Sequence, residues 1–161
     1  MPSRYPRPMS EEFPVARSAV GAACVVQDGD GRVLLVHHTY GHLNWELPGG
    51  LGEADESPAE SAERELREET GLIAAELTLV GIYFEPSHRL VGPLLHHLFR
   101  CRTAGDATPI AADPGEVSEV GWWPVDSLPA PISDFTERRI RDALAGGPVV
   151  VDRVEGRRWR S

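Results

Sequence analysis

The sequence predicts a single α/β or α+β sandwich, and three observations carry that prediction. Apolar, β-branched runs stand on both sides of one strongly specified helix, and a second helix follows late in the chain. The length of 161 residues, 41% hydrophobic and 25% charged, suits one ordinary core and not two.

Residues 1–16 carry four prolines and read as an extended N-terminal arm, residues 17–147 as the domain, and residues 148–161 as a C-terminal tail. Within the domain, Ala16 to Gln27 is small and β-branched. Asp28 to Gly31 (DGDG) tolerates a tight turn, and Arg32 to His38 resumes the apolar run, so the pair predicts a β-hairpin. A loop with Gly41, Asn44 and Pro48 leads through WELPGG to an acidic stretch. Ala75 to Glu85 and Pro93 to Thr103 read as strands separated by a polar loop holding His88 and Arg89. Residues 104–115, rich in Gly, Pro, Ala and Asp, read as a long loop of the kind that often carries function. Glu116 to Val125 returns to strand. The second helix begins at Ser133 or Asp134, turns Phe135, Ile140, Ala143 and Leu144 to one face, and ends at Gly146. The tail holds a short apolar run, Val149 to Val151, then arginines read as solvated.

No apolar run has the length to cross a bilayer, and the N-terminus lacks the continuous apolar stretch of a signal peptide, so a cytoplasmic location is expected. Cys24 and Cys101 lie in apolar strands without metal-ligand spacing and read as buried free thiols. Net charge is −9, and residues 49–72 alone hold eight carboxylates against two arginines. That local acidity repels a bare polyanion, which argues against nucleic acid and requires cations between the site and any phosphate ligand.

The acidic stretch also predicts the better-defined helix, about residues 58–70. Ser57 caps it, Pro58 opens it, Glu60 completes a capping box, and Gly71 closes it. Glu65, Glu68 and Glu69 stand at i, i+3 and i+4, so three like charges share one face near the negative end of the helix dipole. Arg64 and Arg67 are expected to flank that face. Stability alone does not select such an arrangement, whereas a bound divalent cation relieves it. An oxygen-only donor set suits Mg²⁺ or Mn²⁺. Next to a glycine bend at Gly49 and Gly50, cations of this kind serve phosphoanhydride hydrolysis.

Gly50, five residues, Glu56, seven residues, then Arg64-Glu65-Leu66-Arg67-Glu68-Glu69-Thr70-Gly71-Leu72 resembles the Nudix hydrolase signature Gx5Ex7REUxEExGU at every fixed position. The resemblance implies an α/β/α sandwich with a mixed β-sheet and hydrolysis of a pyrophosphate bond. The implied substrate is a nucleoside diphosphate linked to another moiety or a nucleoside triphosphate. It further implies metal ligation by Glu65, Glu68, Glu69 and the Gly49 carbonyl, an ion pair between Glu56 and Arg64, and helix packing through Leu66 and Leu72. The catalytic base varies within the family, which leaves it open among the box glutamates Glu68 and Glu69 and the loop residue Glu116. Glu119 reads as an exposed strand residue. His37 and His38 point to opposite faces of their strand, as do His96 and His97, so at most one of each pair can face the site. Trp45, Phe84, Trp122 and Trp123 read chiefly as core. Sixteen and seventeen residues after Leu72 stand His88 and Arg89, so the substrate markers of the ADP-ribose and dinucleoside-polyphosphate types are missing. The family resemblance also suggests a homodimer. The alternative reading is a noncatalytic module that binds or senses nucleotides.

Overall fold

The computed structural model describes residues 15–161, so nearly all of the expected N-terminal arm lies outside the described residues. Ten strands and two helices follow in the order β1 Ala19–Val26, β2 Val33–His38, β3 Trp45–Glu46, β4 Gly49–Leu51, α1 Pro58–Thr70, β5 Ala74–His88, β6 Gly92–Thr103, β7 Val117–Trp123, β8 Ile132–Ser133, α2 Asp134–Ala145, β9 Val150–Arg153 and β10 Trp159–Arg160. They form two five-stranded mixed sheets, β4-β1-β6-β5-β9 and β10-β8-β3-β2-β7. Parallel pairs are β1 with β6, β5 with β9, and β3 with β8. This is the α/β sandwich the sequence predicts.

Strand β1 explains the layering. Ala22, Cys24 and Val26 face Ala62, Leu66 and Leu72 of the α1 region, while Ala23 and Val25 face a second core shared with Leu35, Tyr83, Phe135 and Ile140. Both faces of the strand are therefore buried, and its small residues let neighbours approach. A Cβ on Gly49 of β4 would fall 2.4 Å from the Ala22 carbonyl oxygen, so only glycine fits beside β1 there.

The expected hairpin of β1 and β2 forms only at its turn. Asp28 accepts from the amides of Asp30 and Arg32, Gly31 has φ +78°, and Gln27 bridges Val33. Beyond that bridge the strands part into different sheets. Val33, Leu34, Leu35 and Val36 are all fully buried, and a strand apolar on both faces belongs in the middle of a covered sheet and not in a two-stranded ribbon with one wet face.

Two other expectations change. His88 ends β5 instead of lying in a loop, and Gly92, at φ +72°, makes the turn into β6. The C-terminal tail is not frayed: β9 pairs with β5 and β10 with β8, so the segment laces an edge of each sheet. Open edges carry backbone donors and acceptors that need partners, and the tail supplies them. Arg157 is drawn in against Glu85, whereas Arg158 and Arg160 pair with Asp134 and Glu137 but stay solvated, as expected. Cys24 and Cys101 are buried free thiols, as expected. Among the described residues no helix is long and apolar enough to cross a membrane.

Candidate active site

Helix α1 begins and ends where its caps predict. Ser57 accepts from the Glu60 amide, the Glu60 carboxylate accepts from the Ser57 amide, and Gly71, at φ +73°, donates to the Arg67 carbonyl. The preceding loop is tied down by the expected pair: Arg64 Nε donates to Glu56 Oε1 at 2.7 Å and its Nη2 to Glu56 Oε2 at 3.1 Å. Glu56 also accepts from the Glu53 amide and the Ser61 hydroxyl. The Arg64 bond first, then the Glu53 amide, hold its carboxyl at about 2.

Arg64 does more than flank the acidic face. Its Nη1 reaches Glu65 Oε1 at 2.9 Å and Glu68 Oε2 at 3.0 Å, and its Nη2 donates to the Leu51 carbonyl. One guanidinium thus joins loop, strand β4 and two of the three box glutamates. It does not balance them. Burial pushes Glu65 up to about 7, opposed by Arg64 and reinforced by the charges of Glu69 and Glu68. Glu69, 2% exposed, is raised by burial first and by the charge of Glu116, against the pull of His38 and the Gly49 amide. Its Oε2 accepts from the Gly49 N–H at 2.9 Å, and its Oε1 lies 3.7 Å from His38 Nε2. Glu68 is the outermost of the three, its side chain half exposed.

The backbone comes close because it has no side chains in the way. A Cβ on Gly50 would sit 2.5 Å from Glu65 Oε1 and push that carboxylate aside, whereas at Gly49 the obstacle is the backbone of β1. Gly49 contributes its amide to Glu69 in this structure.

The structure also brings in residues from β2 and the long loop. Glu116 ends that loop, its carbonyl accepting from the Thr39 amide, and its charge reaches Glu69, His38 and Tyr40. Tyr40 is pushed up to about 12 by burial and by the surrounding charges of Glu69, Glu116, Glu65 and Glu46. Glu119 pairs with His37 across the sheet and is exposed, as expected. Sequence reasoning missed His38 and Tyr40 as neighbours of the site. The strand alternation of His37 and His38 says that one faces inward; Leu34 packs in the α1 cluster and Leu35 in the other core, so His38, in phase with Leu34, faces α1, and His37 packs on Trp45.

Among the described residues no three His, Cys, Asp or Glu side chains converge closely enough to cage a metal on their own. The donor set still suits a hard divalent cation. Mg²⁺ is usually held by one or two carboxylates, with waters and substrate phosphates completing its shell. Glu65 and Glu69 are buried carboxylates whose raised proton affinity marks charge left uncompensated by the protein. A cavity of about 340 Å³ beside His42 and Trp159 and a groove of about 1010 Å³ beside Arg32, Asp126 and Arg141 include none of these groups.

Comparison with known proteins matches residues 17–144 to the NUDIX domain. A MutT-like protein of Streptomyces ambofaciens is 32% identical over 145 residues, covering 89% of this chain and 88% of the relative. A putative 8-oxo-dGTP diphosphatase of Bacillus subtilis is 34% identical over 126 residues, covering 78% and 80%. Among solved structures, a MutT NUDIX hydrolase from Burkholderia pseudomallei superposes with a TM-score of 0.69 at 23% identity, covering 79% of this chain and 98% of that one.

Proposed function

The chain belongs to the NUDIX domain family of hydrolases, and from that premise we propose that it is a Mg²⁺- or Mn²⁺-dependent pyrophosphohydrolase of nucleotides. Its substrate is a nucleoside triphosphate or a nucleoside diphosphate linked to another moiety. The observation that carries the reading is the pair of buried, charge-uncompensated carboxylates, Glu65 and Glu69, on the helix face beside Gly49 and Gly50. The 34% identity to a protein named a putative 8-oxo-dGTP diphosphatase supports a triphosphate substrate.

In this reading Glu65, Glu68, Glu69 and the Gly49 carbonyl would hold the cation. When bound, such a cation polarises a phosphoryl oxygen and lowers the pKa of water. The chain's own contribution is positional. Arg64 and Glu56 lock loop to helix, so the acidic face cannot drift relative to the glycine bend. Glu69, buried and high in proton affinity, and Glu116, exposed at the loop end, are the two groups suited to take a proton from the attacking water. The long loop is tied to the end of α1, the Ile110 and Ala112 amides donating to the Thr70 and Glu69 carbonyls, and Glu116 follows it.

The test is a panel of nucleoside triphosphates and nucleoside diphosphate derivatives with Mg²⁺ or Mn²⁺, products resolved to identify the broken P–O bond, and Glu69→Gln and Glu116→Gln in parallel. One substrate class is cleaved, and Glu69→Gln loses at least about a hundredfold in kcat, the low end of what a general base supplies. The variant that loses kcat while retaining Mn²⁺ affinity identifies the base. Tight nucleotide binding with no turnover across the panel would replace the enzyme with a noncatalytic binding module.

A further inference from the structure

His38 ends β2 immediately past the register shift that separates it from His37. Its amide donates to the Asn44 carbonyl at 2.9 Å, and its ring stacks on Tyr40 with centroids 4.7 Å apart and planes 15° apart. The residue is 8% exposed, and its Nε2 has no hydrogen-bond partner. That nitrogen is aimed at Glu69 Oε1, 3.7 Å away, while the other oxygen of the same carboxylate is held by the Gly49 amide.

Packing does not account for a histidine at this place. A phenylalanine would fill the same space against Tyr40 and leave no buried nitrogen unpaired, a defect that costs about 1 to 3 kcal/mol. The polar atom has one available object, the free oxygen of Glu69. Facing Glu69 in its ionised form, which only accepts, Nε2 would be the ring nitrogen that carries the proton.

Resting on the pyrophosphohydrolase reading, we propose that His38 is a positioning residue. With the Gly49 amide on one oxygen and His38 Nε2–H facing the other, the Glu69 carboxylate is restrained about its terminal bond and presents one orientation toward cation and water. Partners of this kind around a ligating group commonly change metal affinity by about 10- to 100-fold when removed.

The experiment compares His38→Phe, which keeps the ring and the stacking, with His38→Gln, whose side-chain amide can return a donor to the same place. Mn²⁺ affinity is measured by calorimetry, alongside kcat, KM and Tm. His38→Phe weakens Mn²⁺ at least about tenfold and lowers kcat with little change in KM and with Tm unchanged or raised, and His38→Gln recovers Mn²⁺ affinity to within about threefold of wild type. Wild-type Mn²⁺ affinity in the Phe variant overturns the proposal, as does a Gln variant as weak as the Phe one. If the Phe variant does not fold, His38→Leu replaces it in the comparison. Wild-type protein that binds Mn²⁺ but hydrolyses no nucleotide defeats the proposed activity alone, because the affinity comparison stands without turnover. Wild-type protein that binds no Mn²⁺ overturns both.

Discussion

Two groups of buried glutamates lie in this domain, and the protein treats them in opposite ways. On the β3, β5 and β6 side, Glu46 accepts from Arg139 at 2.7 Å, from Thr136 at 2.9 Å and from the Leu47 amide at 2.8 Å. Glu85 Oε2 accepts from His96 Nε2 at 2.6 Å and Arg157 Nη2 at 2.7 Å. Burial would raise both carboxyls, but their partners win: the charges of Arg139 and Arg157 lower Glu46, and the hydrogen bonds from His96 and Arg157 bring Glu85 to about 2. On α1, burial wins instead, and Glu65 rises to about 7. The side chains of Glu46, Glu85 and Glu65 are removed from water to a similar degree, 13%, 13% and 11% exposed. What differs is compensation: Arg139, Arg157 and His96 converge on the first group, whereas the single Arg64 is shared among Glu56, Glu65 and Glu68 in the second. A charge whose own protein's partners outweigh its burial serves architecture, and one whose partners do not awaits something from outside.

The largest effect that could break this contrast is on the paired side. Glu85→Leu leaves Arg157 and His96 buried without their acceptor and should cost about 3 to 5 kcal/mol, lowering Tm by about 10 °C. The double change Glu85→Leu with Arg157→Met should restore much of that loss. A single variant as stable as wild type would show that the pairing is not what holds the tail to β5.

A second test separates the groups by pH. Glu65 has its folded pKa raised from an ordinary 4.5 to about 7, so the folded state binds the extra proton in that window. Its stabilising share is complete below about 4.5 and is lost as pH rises through 7. In EDTA, urea unfolding should therefore show the wild-type protein weakening by about 2 kcal/mol from pH 4.5 to 7.5, and Glu65→Gln should flatten that slope. Mn²⁺ at pH 7.5 should return the loss to the wild type alone. Glu85 runs the other way: its share is present above about 4.5 and is lost as pH falls through 2.

The smallest effect is expected where similar pairing lies in water. Arg158→Ala removes an ion pair with Asp134 on an arginine that is 92% exposed, and Tm should hold within about 2 °C. A larger fall would mean that the tail's attachment depends on its outer charges and not on Arg157 and the strand pairing.

Much of the uncompensated group was legible in the chain. Spacing put Glu65, Glu68 and Glu69 on one face, the cap residues set both ends of α1, and the glycine pair marked a bend beside that face. The paired group was not legible. Glu46, Glu85, His96, Arg139 and Arg157 come from β3, β5, β6, α2 and the tail, and no local pattern links residues so far apart. Arg157 reads as one of several arginines on a polar end until β9 carries it across the sheet.

The helix, its caps, the strand-forming runs and the acidic face follow from the sequence alone, because each rests on interactions between residues a few positions apart, which helical and strand periodicity make readable. The parting of β1 from β2, the lacing of both sheets by residues 148–161, and the choice of His38 over His37 to face Glu69 were decided only in the tertiary structure. Each of these depends on which backbone edge remained unpaired and which face was already covered, quantities that exist only once distant segments have packed together.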